Sequence, residues 1–368
     1  TWVSPTLARP RRRADRAIRI TSSYVADVAV ILVAYNSRQD LEQCLPALAA
    51  QTVPHQPVVV DNESSDGTAE WVELNHPGVT LIRSPSNLGY AGGNNLGFSR
   101  TSTPLLAVLN PDTVPAPTWL EKLIAASERH PDAGLLTSSV RLHEDANRIN
   151  ACGNDLHVSG IAFCRGLGEP ATRHAQERPV AAASGAAFLA PRTVLEEVHG
   201  FDPEFFTYLE DTDLSVRVRI AGHEVIYVPD SIVIHKYVNR QTPRKLYYLE
   251  RNRLLMLLKN LRPTTLLAML PVLLLGELQA WVYALTRGPA YLRAKLRSYH
   301  WVLSRRRYIG ERRRQLLRRA SDASLLRLMT TRLAIEQVQG EGRTSRLLAA
   351  VAQAVYAACF LPARFIVR

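Results

Sequence analysis

The sequence predicts an α/β protein with a doubly wound, mostly parallel sheet, followed by a basic region made of helices alone. Three observations carry that expectation. Between Val28 and Leu109 short continuous apolar runs alternate with helical stretches, the pattern of strands buried on both faces and joined by crossover helices. A share of 46% hydrophobic residues in 368 excludes a mainly disordered chain and is ample for a core. The charge is split: residues 1–235 carry 19 Lys+Arg against 27 Asp+Glu, whereas residues 236–368 carry 26 against 6 and a net +20. A mildly acidic body therefore precedes a tail that needs an anionic partner.

Each element follows from local pattern. Val28 to Ala34 is a buried strand, and Leu41 to Ala50 a helix with Asp40 placed to cap it. Pro57 to Val60 is a second strand ending at Asp61; Ser65 to Thr68 is a turn and Ala69 to Leu74 a helix. Val79 to Ile82, Ala91 to Phe98 and Leu105 to Leu109 read as strand, helix and strand. Ligands bind beyond the carboxyl ends of such strands, so the residues just after Ala34, Val60 and Leu109 matter most.

A helix is expected over Trp119 to Arg129, then a less regular stretch from Val140 to Pro179. Ala181 to Ala190 is small and apolar, Arg192 to Val198 helical, Phe201 to Tyr208 an aromatic loop and Asp213 to Ala221 a helix. Val225 to Val228 and Ile232 to Ile234 read as two short strands. Beyond Thr242 only helices are expected. The domain reading is a basic N-terminal tail over 1–24, with no hydrophobic signal segment, a catalytic domain over 25–260, and a basic and apolar helical region over 261–368. Four cysteines without a CxxC (Cys44, Cys152, Cys164, Cys359) exclude a disulfide scaffold or zinc knuckle and fit a reducing compartment.

Several constellations can carry chemistry. Asp61 and Asn62, at the mouth of the second strand, suit a base or ribose hydroxyl, or else simply a turn. Asn110-Pro-Asp112 follows the fourth strand, where a carboxylate can hold Mg²⁺ or Mn²⁺, or else simply forms a turn. Glu210, Asp211 and Asp213 crowd three carboxylates before a helix; Asp213 reads as its N-cap, and repulsion raising a neighbour's pKa suits a general base. His235 closes an apolar strand and is a metal-ligand candidate. The glycines from Asn87 to Asn94 open a helix and permit close approach to an anionic ligand. Gly166-Leu-Gly168-Glu-Pro-Ala171 matches a dinucleotide fingerprint on paper, but Pro170 and the lack of a following apolar helix argue against it.

Taken together these residues resemble the inverting glycosyltransferases of family 2, with the GT-A fold, and within them the bacterial rhamnosyltransferase-like branch. The resemblance runs from Val28 to about Asn260. Its landmarks are Val33-Ala-Tyr-Asn36, Val60-Asp-Asn62, Ser65-Asp-Gly-Thr68, Asn87-Leu-Gly89, Gly93-Asn-Asn95, Leu109-Asn-Pro-Asp-Thr113, Ser184-Gly185, Gly200-Phe-Asp202, Glu210-Asp-Thr-Asp-Leu214 and His235. It implies that Asp61 contacts the nucleotide base, with Ala34, Tyr35, Asn36, Asn62, Asn87, Gly89, Asn94 and Asn110 around the donor nucleotide. Asp112 stands at the last Asp of the family's DxD metal motif, whose first Asp is Asn110 here, so metal affinity rests on Asp112 and His235. Asp211 matches the catalytic base, with Glu210 beside it. Ser184 and Gly185 match a loop near donor and acceptor, and Arg251 and Asn252 a late motif of the branch assigned to the same sugars.

The implied function is transfer of a sugar, best rhamnose from dTDP-rhamnose, from a nucleotide-diphospho-sugar donor to a polyprenyl-diphosphate-linked or polysaccharide acceptor. A UDP-hexose donor is the runner-up within the family. The arginine run from Arg305 to Arg319 and the apolar stretches Thr264 to Leu285 and Leu347 to Val367 suggest an anionic membrane surface. Because of Pro271 and Glu277, Thr264 to Leu285 is read as in-plane or re-entrant. The expected location is the cytoplasmic face of the cell membrane. The rival of another class is a nucleic-acid-binding or scaffold protein on a degenerate transferase fold; no reading motif or stacking aromatics accompany the arginines, so no nucleic acid is expected.

Overall fold

The computed structural model describes residues 27–334, 337 and 343–367; the basic tail read over 1–24 lies outside the described residues. All seven residues of β1 (Val28–Ala34) are buried, as its unbroken apolar run requires. There follow α1 (Arg38–Ala49), β2 (Gln56–Asp61), α2 (Thr68–Asn75), β3 (Thr80–Arg83), α3 (Gly89–Ser99), β4 (Leu105–Leu109) and the short β5 (Thr113–Pro115). β1 pairs in parallel with β2 and β4, and β2 with β3. Ala34, Asp61 and Leu109 therefore end side by side at one edge. The N-cap of α1 is Ser37, not Asp40, which lies in the first turn and pairs with Lys236 at 3.1 Å.

The later half of the sheet is more regular than its sequence suggests. After α4 (Trp119–Arg129) comes β6 (Ala133–Leu142), in which Thr137, Ser138 and Ser139 are fully buried. Their hydroxyls are satisfied, for instance by the Trp119 indole N–H donating to Ser138 at 2.8 Å, so polar composition disguises a central strand. β7 (Ile149–Ala151), β8 (Asn154–Leu156), β9 (Ala162–Cys164) and β10 (Arg178–Pro179) give order to the stretch read as irregular. β11 (Ala187–Pro191) runs antiparallel between β4 and β6, and α5 (Arg192–Glu197) follows. α6 (Glu210–Ile220) begins three residues before the expected Asp213. β12 (Glu224–His235) is one strand with an irregularity after Val228 rather than two strands. The order across the mixed sheet is β10-β12-β6-β11-β4-β1-β2-β3. Val30, Leu32, Leu41 and Trp119 pack one face; Ile31, Val60, Phe98 and Leu214 pack the other.

The helical region comprises α7 (Pro243–Asn260), α8 (Pro263–Ala268), α9 (Leu270–Arg287), α10 (Pro289–Ser304), α11 (Arg306–Gln315), α12 (Asp322–Leu326) and α13 (Arg343–Ile366). A third core joins Met256 of α7 to Val216 and Ile220 of α6 and to Val272, Val302 and Tyr356, so packing does not divide at residue 260. Thr264 to Leu285 is two helices, with Pro271 in the first turn of α9, where its missing N–H costs nothing. The arginine run is not one continuous stripe. α11 ends at Gln315, Arg313 donates to the Leu258 and Leu261 carbonyls, Arg318 to Asn260 O, and Arg305, Arg318 and Arg319 pair with Glu204, Asp322 and Glu197. The Arg313 and Arg318 bonds to these carbonyls close the carboxyl end of α7, where carbonyls lack helical partners. Arg306, Arg307 and Arg314 remain exposed. Among the described residues one helical segment, Ala349–Ile366, is long and apolar enough to cross a membrane by length and composition.

Candidate active site

The β1 and β2 ends build one side of the cleft. Ala34 is paired in register with Asp61 and accepts from Asn62 N at 2.8 Å. Asn36, with φ +51°, accepts from Ser65 N at 2.8 Å, and Tyr35 is 52% exposed beside it. Asp61 is buried, and its Oδ1 has no hydrogen-bond partner, a group awaiting a donor.

The glycine-rich helix plays a different part from the one expected. Asn62 donates to Asn87 Oδ1 and to Gly89 O, both at 3.1 Å, and Asn87 Oδ1 accepts from Gly89 N at 2.9 Å. Asn94 is wholly buried and donates to Tyr90 O. A Cβ on Gly93 would lie 2.6 Å from Val33 and one on Gly97 2.5 Å from Ile31. At Gly89, where φ is +68°, it would lie 2.3 Å from Phe206 O. These glycines let α3 press against β1 and against the loop before α6, so the close approach is to protein rather than to a ligand.

That loop delivers the carboxylates. Phe206, Tyr208 and Leu209 all have positive φ (62°, 68°, 64°), a costly run for residues with side chains. Asn252 holds it: its Nδ2 reaches Phe205 O, Thr207 O and Tyr208 O at 2.7–2.9 Å, while Arg251 donates to Glu204 O and Phe205 O. Both residues are buried beneath the loop instead of lining the open cleft. Leu209, not Asp213, occupies the N-cap of α6. Asp213 is fully buried and pairs with Arg217 at 2.8 Å and Lys259 at 2.9 Å.

Asp211, in the first turn of α6, lies beside the Ser184-Gly185 turn. Its Oδ2 accepts from Gly185 N at 2.8 Å and Asn154 Nδ2 at 3.1 Å; its Oδ1 accepts from Thr212 N at 2.6 Å. Burial raises its pKa against these hydrogen bonds. Glu210 is buried with Oε2 unpartnered, and burial, then the neighbouring Asp211, pushes its carboxyl well above the ordinary range. Ser184 is buried, and Tyr90 donates its hydroxyl to Gly185 O.

Asp112, between β4 and β5, meets His235 at the end of β12, which pairs with β5, and His235 Nε2 lies 3.3 Å from Asp112 Oδ1. Asn150 turns its carbonyl oxygen to His235 Nδ1 at 2.7 Å, which favours the tautomer with the proton on Nδ1, the one that would present an Nε2 lone pair to a metal beside the carboxylate. Asp112 Oδ1 and Asn110 Oδ1 have no hydrogen-bond partner. Two lone-pair atoms that close suit a shared cation. Among the described residues no group of three or more His, Cys, Asp or Glu could hold a metal, which leaves further ligands to come from elsewhere, as Mg²⁺ takes them from substrate phosphates.

Asn150, Asn154 and Tyr90 are site residues that sequence reading missed. Isolated asparagines in a seemingly irregular stretch carry no spacing signal. One array that resembles a nucleophilic triad is also present: Cys152 Sγ lies 3.4 Å from His174 Nδ1, and His174 Nε2 2.9 Å from Glu169. Cys152 is fully buried, and burial pushes its thiol up to about 11, the environment of a structural cysteine. Gly166 and Gly168 sit in turns before a short 3₁₀ helix, which disposes of the dinucleotide fingerprint.

Residues 26–254 match the family described as Glycosyltransferase like family 2. The chain belongs to this family. The sheet of this family 2 glycosyltransferase and its structural neighbours are those of the GT-A fold. It is 30% identical over 229 residues to the N-acetylglucosaminyl-diphospho-decaprenol L-rhamnosyltransferase of Mycobacterium tuberculosis, covering 56% of this chain and 75% of that one. It is 26% identical to the low-salt glycan biosynthesis hexosyltransferase Agl10 of Haloferax volcanii, over 56% and 66% of the two chains. In fold it is similar to S. aureus TarS 1-349 in complex with UDP-GlcNAc, with TM-score 0.53, 14% identity and coverage of 92% and 90%. GalNAc-T7 with UDP, GalNAc and Mn²⁺ aligns with TM-score 0.50 and 16% identity, over 62% of this chain and 47% of that one.

Proposed function

We propose that this glycosyltransferase inverts the anomeric centre of a sugar, rhamnose from dTDP-rhamnose, as it passes it to a hydroxyl of a lipid-linked or cell-envelope polysaccharide acceptor. The observation that carries the reading is Asp211, a carboxylate of raised pKa held by Gly185, Asn154 and Thr212 on the same edge of the sheet as Asp112 and His235. The rhamnose donor and the polyprenyl-diphosphate acceptor are supported by the activity for which the mycobacterial relative is named. An acceptor of that kind is presented at the cytoplasmic face of the membrane, where the chain would act as a peripheral protein.

Asp61, with its unpartnered Oδ1, binds the donor base or ribose, and Ala34, Tyr35 and Asn36 wall that pocket. Asp112 and His235 would hold Mg²⁺ or Mn²⁺, which when bound supplies positive charge to the leaving diphosphate. Asp211 takes the proton from the acceptor hydroxyl as its oxygen bonds to the anomeric carbon. The bond from that carbon to the diphosphate oxygen breaks on the opposite face. One displacement gives inversion. Glu210, its carboxyl raised by burial and by Asp211, lies beside it, and Arg251 and Asn252 hold the loop that aims both.

A panel of nucleotide sugars, each with and without Mn²⁺, tests the reading by thermal stabilisation and by transfer to a polyprenyl-diphosphate acceptor. dTDP-rhamnose should stabilise most and Mn²⁺ should add to it. Preference for a UDP-hexose would replace the donor; full transfer in excess chelator would remove the metal.

A further inference from the structure

α9 turns its polar side toward the protein. Glu277 bonds Arg253 and Lys295, Gln279 accepts from the Tyr356 hydroxyl at 2.8 Å, and a Cβ on Gly276 would lie 2.7 Å from Ser159 Cβ. The opposite side, continued from α8, exposes Leu267, Leu270, Leu274, Leu278, Val282 and Leu285, each between 44% and 71% exposed. Steps of three and four residues put them in one stripe. In a helix surrounded by water that stripe would face the core. Arg262 and Arg287 are exposed at its two ends and make no ion pair among the described residues. α13 packs beside α9 through Tyr356 and repeats the arrangement: Phe360 and Ala363 are buried, while Val355, Leu361 and Phe365 are exposed with Arg364 among them.

We propose that the outer faces of α9 and α13 dock this enzyme on an anionic membrane leaflet, with both helices lying in the plane of the surface. The leucines would enter the boundary between headgroups and acyl chains, and the flanking arginines would reach the lipid phosphates. Charge complementarity selects this occupant: the region after residue 235 carries net +20, which favours anionic lipid and sets a second copy of the chain against like charge. α9 does not span, because Glu277 and Gln279 tie one side of it to the protein. The anchor is thus the apolar stripe rather than the arginine run, much of which is engaged inside the molecule. The purpose of this docking rests on the reading of a lipid-linked acceptor.

The test floats the full chain with vesicles of phosphatidylcholine containing a minority of phosphatidylglycerol, and needs no acceptor. The protein should float with them at low salt, and raising the salt should weaken but not abolish binding, because apolar insertion is not screened. The double substitution Leu274→Gln and Leu278→Gln should lower the bound fraction by about tenfold or more, with circular dichroism and donor hydrolysis unchanged. Failure of the wild type to float, unchanged floating of the double variant, or a solution dimer that the double variant dissolves would each overturn the proposal. Transfer to a polyprenyl-diphosphate acceptor in detergent is measured in parallel. Transfer without vesicle binding removes the docking face alone; vesicle binding without transfer removes the acceptor reading alone.

Discussion

Glu210, the first residue of α6, and Glu250, among the C-terminal helices, are both buried glutamates, 7% and 4% exposed. Glu210 makes no ion pair among the described residues, and burial together with Asp211 and Asp213 holds its carboxyl well above the usual range. Glu250 is as dry, and burial raises it too, but Arg253 at 3.0 Å and Lys295 outweigh burial and hold it below that range. Glu277 follows Glu250, drawn down to about 2 against burial by Arg253 and Lys295, and Asp202 is lowered by Lys259. Burial is common to both regions; the presence of a cation separates them. The helical region neutralises its buried acids, whereas the site leaves two carboxylates without a cation among the described residues, so burial raises both.

The widest gap should open at Asp211. Asp211→Asn should reduce turnover by about 10²–10⁴-fold with donor affinity retained, and the acid limb of the wild-type rate profile should lie above the ordinary aspartate range. Near wild-type turnover in steady-state assays would leave the two regions chemically alike. Lys259→Met tests the other side: it strips the cation shared by Asp202 and Asp213 and should cost about 3–5 kcal/mol in denaturant unfolding. A loss under about 1 kcal/mol would mean that this network is not what joins α6 to α7.

Glu210→Gln should move stability and activity in opposite directions. The raised carboxyl costs stability as pH rises through its pKa, so the gain from Gln should be absent at low pH and grow with pH, up to about 1–3 kcal/mol, while turnover falls. Loss of stability would show that Glu210 has a partner that its geometry conceals. The smallest effect is acid sensitivity. Glu250, Glu277 and Asp202 are depressed, so their contribution is complete above the ordinary carboxylate pKa and is lost as pH falls through it, toward about 2 for Glu277. Glu210 and Asp211 are raised and act in the reverse sense, costing stability as pH rises through their pKa. Thermal melts from pH 5 to about 2.5 should therefore show a loss on the order of 1 kcal/mol after screening is allowed for, which Glu277→Gln should flatten.

How far the sequence could be read depended on where the information lay. β1, β2 and β4 were legible because a strand buried on both faces must be apolar throughout. β6 was not, since Thr137, Ser138 and Ser139 meet their hydrogen-bond needs through tertiary partners. Asp211 and Asp112 were legible in their ordered motifs. Asn154 and Asn150, which hold Asp211 and His235, belong to no motif. Asp213 looked like a cap because capping is a local rule, but Arg217 and Lys259 claim it instead.

The sequence by itself determined the parallel half of the sheet, the three strand ends at which Asp61 and Asp112 emerge, and the crowded acids at Glu210 and Asp211. All of these follow from periodicity and from neighbours within a few residues. Only the tertiary structure decided which acids are neutralised, which glycines touch protein, and which side of α9 faces out. Those outcomes depend on residues far apart in the chain, such as Lys295 against Glu250 or Phe206 against Gly89, and an electrostatic or steric partner is set by distance in space, which no local pattern records.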